Sequence, residues 1–348
     1  MNKRIHTSFL AFTALALVFV NSLAAQKVSA APAASYMLSS LPTSDAVIFI
    51  DAQRLLTDSI PGMLAGSPAL LARVNAKIDQ FKEKTNIDLR SFDSVAIGVR
   101  FTVHATGEDF KVVVLTQGRF DANVVLDAAL ATAKREGLHP QERSLDGRTI
   151  YVLSRQQQEA RQEETADNQE TVDHQKPTLD SHDMALAVID ANTLAFGDLQ
   201  SVRAALDISA ERVSNDLVQL ATRTPNAVVG FSGNVPAFVT EQLARDKEPI
   251  AKNFAAIRQV YGSVTTTGSD AEATVTLRAE NPEQASEIGK AVNALKLLVS
   301  LDKKRSPSGE MRSIAELIKS LTVTSEGNEV FLNLKLTQAD IASFARNL

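Results

Sequence analysis

The residues in this chain that could do chemistry are few and scattered. Gly230-Phe231-Ser232-Gly233-Asn234 comes close to a nucleophile elbow, in which a serine is held on a sharp turn between a strand and a helix. Its second glycine comes one residue early, and Asn234-Val235-Pro236 follows where that turn would run into a helix. Ser232 therefore reads as a small residue at a strand end, where the chain bends. Histidine is scarce. His6 lies in the N-terminal apolar leader, and His104 and His139 are expected in turns. His174 and His182, with Asp173, Asp180 and Asp183, have the donor types that hold zinc, copper or nickel. Their surroundings are polar and low in bulk, with nothing to orient the donors, so a solvated loop is the expectation. Asp51 follows a strand end, where it could face a cleft or cap the helix starting at Ala52, and the cap is the expectation. Gly197-Asp198 is expected to be a turn and a helix cap. Lys303-Lys304-Arg305 forms a small basic patch, either solvated or facing an acidic partner. The phosphate-cradling Gly-x-x-x-x-Gly-Lys-Ser/Thr and Gly-x-Gly-x-x-Gly patterns are missing, as is His-Glu-x-x-His. No catalytic, cofactor-binding or metal-binding residue is assigned.

The composition narrows the field further. There is no cysteine, which excludes disulfides, zinc–thiolate sites, iron–sulfur clusters, a thiol nucleophile and a lipidated N-terminal cysteine. With 44% hydrophobic and 22% charged residues the chain is expected to fold. It has no Trp and only three Tyr, so its core is expected to be aliphatic, and the low aromatic content argues against a sugar-binding or single-stranded nucleic-acid platform, since both rely on stacking. The formal net charge is −5, and removal of residues 1–30 takes away Lys3, Arg4 and Lys27 but no acid, leaving −8. Nucleic acid and anionic membrane surfaces are poor partners for such a charge.

The order of elements sets where these residues would stand. Residues 1–30 read as a secretory signal peptide: Lys3 and Arg4, the apolar run Phe9–Val20, then the small-residue site Val28-Ser29-Ala30, with Ala24 or Ala25 as alternative cleavage sites. An uncleaved N-terminal anchor is the alternative, and with either the body lies outside the cytoplasm. Residues 31–40 are expected to be a linker. A first α+β half follows over 41–208. It has a strand at Ala46–Asp51, a helix from Ala52 broken at Pro61, and a longer helix over Ala69–Lys84. Strands are expected at Val95–Phe101, Phe110–Gln117 and Thr149–Leu153, with a helix capped by Asp121 before the last of these. Arg155–Asp183 holds six Gln, eight acids and almost no large apolar residue, so it is expected to be a disordered loop joining neighbouring strands at Leu153 and Met184. Residues 209–223 are read as a connector and 224–348 as a second half. In that half Ala271–Ala279 alternates strictly, Asn281-Pro282 opens a helix, and a hairpin turns at Glu326-Gly327-Asn328. Thr337-x-x-Asp340 then starts a last helix.

The two halves share this plan. Pro42 with Ala46-Val47 resembles Pro225 with Ala227-Val228, and the Asp121 helix matches the Asn281 helix. The Met184–Phe196 hairpin matches Thr322–Leu336. The expected fold is α+β: two related ferredoxin-like halves, with antiparallel sheets covered by helices on one side. The string Ala187-Val188-Ile189-Asp190-Ala191-Asn192-Thr193-Leu194-Ala195-Phe196-Gly197-Asp198, then Val202-Arg203-Ala204-Ala205-Leu206, resembles uncharacterised exported bacterial proteins with duplicated ferredoxin-like halves. The resemblance spans most of residues 41–348 and implies a fold and a compartment, with no reaction. The functional expectation is an exported, periplasmic or secreted, non-enzymatic binding or scaffolding protein without a cofactor. It would meet a protein partner through a sheet face or edge, with no nucleic acid and no membrane insertion after cleavage. A hydrolase whose site assembles only in three dimensions is the alternative.

Overall fold

Along Ala46–Asp51 (β1), Val47 and Phe49 point to one face and Ile48 and Ile50 to the other. A strand that is apolar on both sides needs neighbours on both edges and cover on both faces. The computed structural model describes residues 30–104, 107–145, 147–155, 184–246, 249–301, 318 and 320–340, and β1 lies in the middle of one antiparallel sheet of twelve described strands.

The other strands are β2 (Phe92–His104), β3 (Gly107–Gly118), β4 (Leu138–Leu145), β5 (Arg148–Arg155), β6 (Met184–Asp190) and β7 (Thr193–Asp198). Then come β8 (Val229–Asn234), β9 (Ile257–Thr267), β10 (Asp270–Ala279), β11 (Thr322–Glu326) and β12 (Glu329–Leu336). Across the sheet the order is β11-β12-β10-β9-β8-β1-β2-β3-β7-β6-β5-β4. From the central pair outwards it reads β1-β2-β3-β7-β6 in one direction and β8-β9-β10-β12-β11 in the other. The hairpin β4–β5 continues the first arm. The coarse expectation of α+β with antiparallel pairing holds, as one continuous sheet: β1 pairs with β8 from Ala46↔Gly233 to Ile50↔Val229.

Cover on one side only was wrong. One face packs under helices Ala30–Ser39 (α1), Leu199–Leu206 (α5) and Asn215–Ala221 (α6), through Val47, Phe49, Val113, Leu115, Ala185, Ala195, Val202 and Leu217. The opposite face meets a helical stretch over Ala52–Arg54, Leu55–Ser59 and Ile60–Met63 (together α2), and helices Pro68–Thr85 (α3), Ala122–Arg135 (α4) and Pro282–Leu301 (α9). Two short helices, Ala237–Arg245 (α7) and Pro249–Phe254 (α8), precede β9. The physical reason lies in runs such as Val112-Val113-Val114-Leu115, which put branched side chains on both faces and leave neither fit for water.

Helix α1 (Ala30–Ser39) stands where a linker was expected over 31–40. Ala34, Met37, Leu38 and Leu41 recur at helical spacing, and all four are at most 5% exposed. Pro61 does not break α2. The chain widens into a π-helical turn over Leu55–Ser59, closed by Ile60 N–H donating to the Leu55 carbonyl, and continues to Met63. Within 209–223, α6 buries Leu217, Val218 and Leu220. The pairing Leu153↔Met184 is as expected. The leader, the Gln-rich loop and the Lys303–Arg305 patch lie outside the described residues. No described helix is long and apolar enough to cross a membrane.

Candidate functional site

Turn chemistry sets the register that builds the site. Gly268 (φ 64°) turns β9 into β10, which aligns Tyr261 with Thr276 and Gln259 with Arg278. Gly327 (φ 55°) turns β11 into β12, and β12 then pairs with β10 so that Glu329 faces Arg278 and Phe331 faces Thr276. Gln259, Tyr261, Arg278 and Glu329 thereby share one face of three adjacent strands. Arg223, just past the end of α6, reaches the same spot.

Glu329 is the hub. Its Oε1 accepts from the Tyr261 hydroxyl at 2.6 Å, from Arg278 Nη2 at 2.8 Å and from Arg278 Nε at 3.0 Å. Arg223 Nη1 lies 3.3 Å from both carboxylate oxygens and also donates to the Tyr261 hydroxyl. Both guanidinium carbons lie over the Tyr261 ring, 5.3 Å (Arg223) and 5.2 Å (Arg278) from its centroid. Arg278 Nη1 donates to Gln259 Oε1 at 2.8 Å, and Gln259 Nε2 donates to Asp216 Oδ2 at 2.6 Å. Helix α6 is thus tied to the sheet near its start by Asp216, past its end by Arg223, and in its middle by Ser232 Oγ, which donates to the Leu217 carbonyl at 2.6 Å.

Burial alone would raise the Glu329 carboxyl, but the bonds from Tyr261 and Arg278 and the charge of Arg223 hold it below its ordinary value. The Tyr261 hydroxyl is pushed up by burial and by the Glu329 carboxylate it donates to. Burial opposes the charge on Arg278, and Glu329 more than offsets it, so the guanidinium pKa is raised. At neutral pH the cluster holds two cations, one anion and a neutral phenol.

Beyond α6 this face carries no described helix. The cross-strand rows are Ser263-Thr274-Asn333-Thr322, Tyr261-Thr276-Phe331-Thr324 and Thr265-Glu272-Lys335. Thr276 and Ser263 are buried beneath their neighbours, Thr274 and Asn333 are half-buried, and Lys335, Thr322 and Thr324 are exposed.

The residues singled out from sequence do not converge on this cluster. Asp51 caps α2 as expected: its Oδ1 accepts from Arg54 N–H at 3.0 Å, and its Oδ2 pairs with Arg54 Nη1 at 3.4 Å. Burial pushes its carboxyl pKa up against those bonds. Ser232 is 2% exposed inside β8, with its hydroxyl spent on Leu217. Asp198 makes no side-chain cap on α5; its Oδ2 accepts from Val112 N–H at 2.6 Å, continuing the β3–β7 ladder past Gly197. His104 ends β2 and His139 lies exposed on the edge strand β4, with four strands between them, where turns had been expected. His174, His182, Asp173, Asp180 and Asp183 fall outside the described residues. Among the described residues no three His, Cys, Asp or Glu stand together as a metal site. The Arg223–Tyr261–Arg278–Glu329 cluster had gone unread. The available signal was a lone Arg and a lone Glu at facing positions in otherwise apolar and Thr-rich strands.

No protein-family model and no curated protein matches the chain. Among solved structures, crystal form III of TP0453 aligns with 89% of this chain and 98% of its own, at 11% identity and a TM-score of 0.43. Crystal form I of TP0453 aligns with 89% and 96%, at 9% identity and a TM-score of 0.40. Similarity of that extent says nothing about activity.

Proposed function

We propose that this is an exported binding or scaffolding protein, periplasmic or secreted, which engages a protein partner through the face of β9, β10, β12 and β11, open beyond α6 among the described residues. It performs no catalysis in this reading. The two arms of the sheet are read as a duplicated α+β unit, as in the exported bacterial proteins the sequence resembles.

One contrast carries the reading. On the first arm, β3, β7 and β6 present Val113, Ala195, Ala185 and Ala187 to α5, which fills the face with Val202 and Leu206. The strands in the same order on the second arm, β10, β12 and β11, present Thr274, Asn333 and Thr322 to the same side. Threonine and asparagine suit a surface that is wet when free and can make hydrogen bonds when covered. An apolar helix seated there would leave those groups without partners. The side chains are held on a paired sheet, so little conformational entropy is lost on binding.

The test is retention of a partner from envelope extract by immobilised protein, comparing wild type, Thr274→Arg and Val124→Arg. Val124 lies on α4, across the sheet, and is 58% exposed. The proposal expects Thr274→Arg to lose the retained protein and Val124→Arg to keep it. Equal retention by all three, or turnover of a hydrolase substrate with nothing retained, would overturn it.

A further inference from the structure

We infer that Arg223 is the anchor of the open face and that it takes a carboxylate from the partner, an acidic side chain or a chain terminus; this rests on the binding role proposed above. Two guanidinium groups share a single carboxylate in the cluster. Arg278 is committed: Nε and Nη2 bind Glu329, and Nη1 binds Gln259. Arg223 uses only Nη1, on Tyr261 and Glu329. Among the described residues its Nε and Nη2 have no hydrogen-bond partner, and its side chain is 51% exposed.

Those two nitrogens form one edge of the planar guanidinium, with parallel N–H bonds at the spacing of two carboxylate oxygens. The edge is pre-oriented, because Nη1 is bonded to Glu329 and the guanidinium sits over the Tyr261 ring. A mobile surface arginine would have to lose that freedom on binding; this one has already lost much of it.

The neighbouring charges choose the class of anion. Glu329 is in contact with the site, Glu326 faces Glu329 from β11, and Asp216 lies at the far end of the Gln259 link. Glu326 makes no ion pair with either arginine among the described residues. A dianion such as phosphate would sit among these carboxylates at a cost, whereas a monoanionic carboxylate matches the one open guanidinium edge.

The experiment uses the full chain labelled with ¹⁵N-arginine and titrated with sodium acetate, sodium phosphate and sodium chloride at matched ionic strength, reading the Nε–H resonances. The Arg223 signal, assigned by its loss in Arg223→Gln, should shift and saturate with acetate, more strongly than with phosphate and well beyond chloride. The Arg278 signal should move with it in wild type and stay still in Arg223→Gln, whose fold is checked by circular dichroism. A response no larger than that to chloride, or one dominated by phosphate, would overturn the inference. Partner retention that is sensitive to Thr274→Arg alongside a silent Arg223 would leave the binding role standing and remove only its carboxylate anchor.

Discussion

The Tyr261 hydroxyl on β9 donates to Glu329 on β12 at 2.6 Å, across the whole width of β10. The bond binds the outer strands to the centre of the sheet, and through Arg223 it also fixes the end of α6. Stability and the shape of the open face therefore depend on the same carboxylate.

Glu329→Gln should destabilise the fold by about 1–2 kcal/mol, below the range for a fully buried pair because Arg223 is half exposed. The effect should depend on pH. A carboxyl held below its ordinary 4.5 in the folded state contributes stability that is complete above that value and is lost as pH falls through the lower folded pKa. The gap between wild type and Glu329→Gln, measured by urea unfolding, should be flat near neutrality and narrow in acid. A gap that widens in acid would contradict the sign.

Ser232→Ala removes the hydroxyl and with it the bond to the Leu217 carbonyl. A loss of ~1 kcal/mol is expected, with the fold intact. Thermal unfolding would read it. A hydrolytic activity abolished by this change at unaltered stability would contradict the structural role of Ser232.

Gly197 has a φ of 151°, and a Cβ there would lie 2.1 Å from the Val112 carbonyl oxygen. Gly197→Ala should cost at least ~2 kcal/mol, since the backbone strain and the clash add. It should also loosen the β3–β7 ladder, visible as faster amide exchange at Val112, whose N–H bonds Asp198.

Much of the second arm is legible in the sequence. Strand β10 alternates strictly, Val330, Leu332, Leu334 and Leu336 share one face of β12, and the turns carry Gly268 and Gly327, so β10 and the β11–β12 hairpin fall within a residue of expectation. The Asn281 cap is there too, accepting from Gln284 N–H at 2.9 Å. The elements that were missed hide for physical reasons. Helix α1 is built from small residues, so the Met37 and Leu38 stripe is diluted by alanine. Strand β4 (Leu-His-Pro-Gln-Glu-Arg-Ser-Leu) lies at a sheet edge, where polar residues and Pro140 guard the open side and erase the apolar alternation. The cluster is illegible because Arg223, Tyr261, Arg278 and Glu329 are ordinary surface types until the register brings them together.

Helix α1 supplies a direct check on the first of those misses. Met37 is 1% exposed and packs in the central core, so Met37→Ala should cost ~2–5 kcal/mol. A linker would tolerate the change. Denaturant unfolding distinguishes the two.

The central claim is that the Thr-rich face of the second arm meets the partner, and photo-crosslinking in living cells tests it at the residue level. A benzophenone side chain would be placed at Lys335 or Thr322 on the open face, and at Val124 on α4 as the control. Adducts of one defined mass from Lys335 and Thr322, with none from Val124, are the predicted result. Adducts from Val124 alone, or none from either face position in cells that carry the folded protein, would contradict the account.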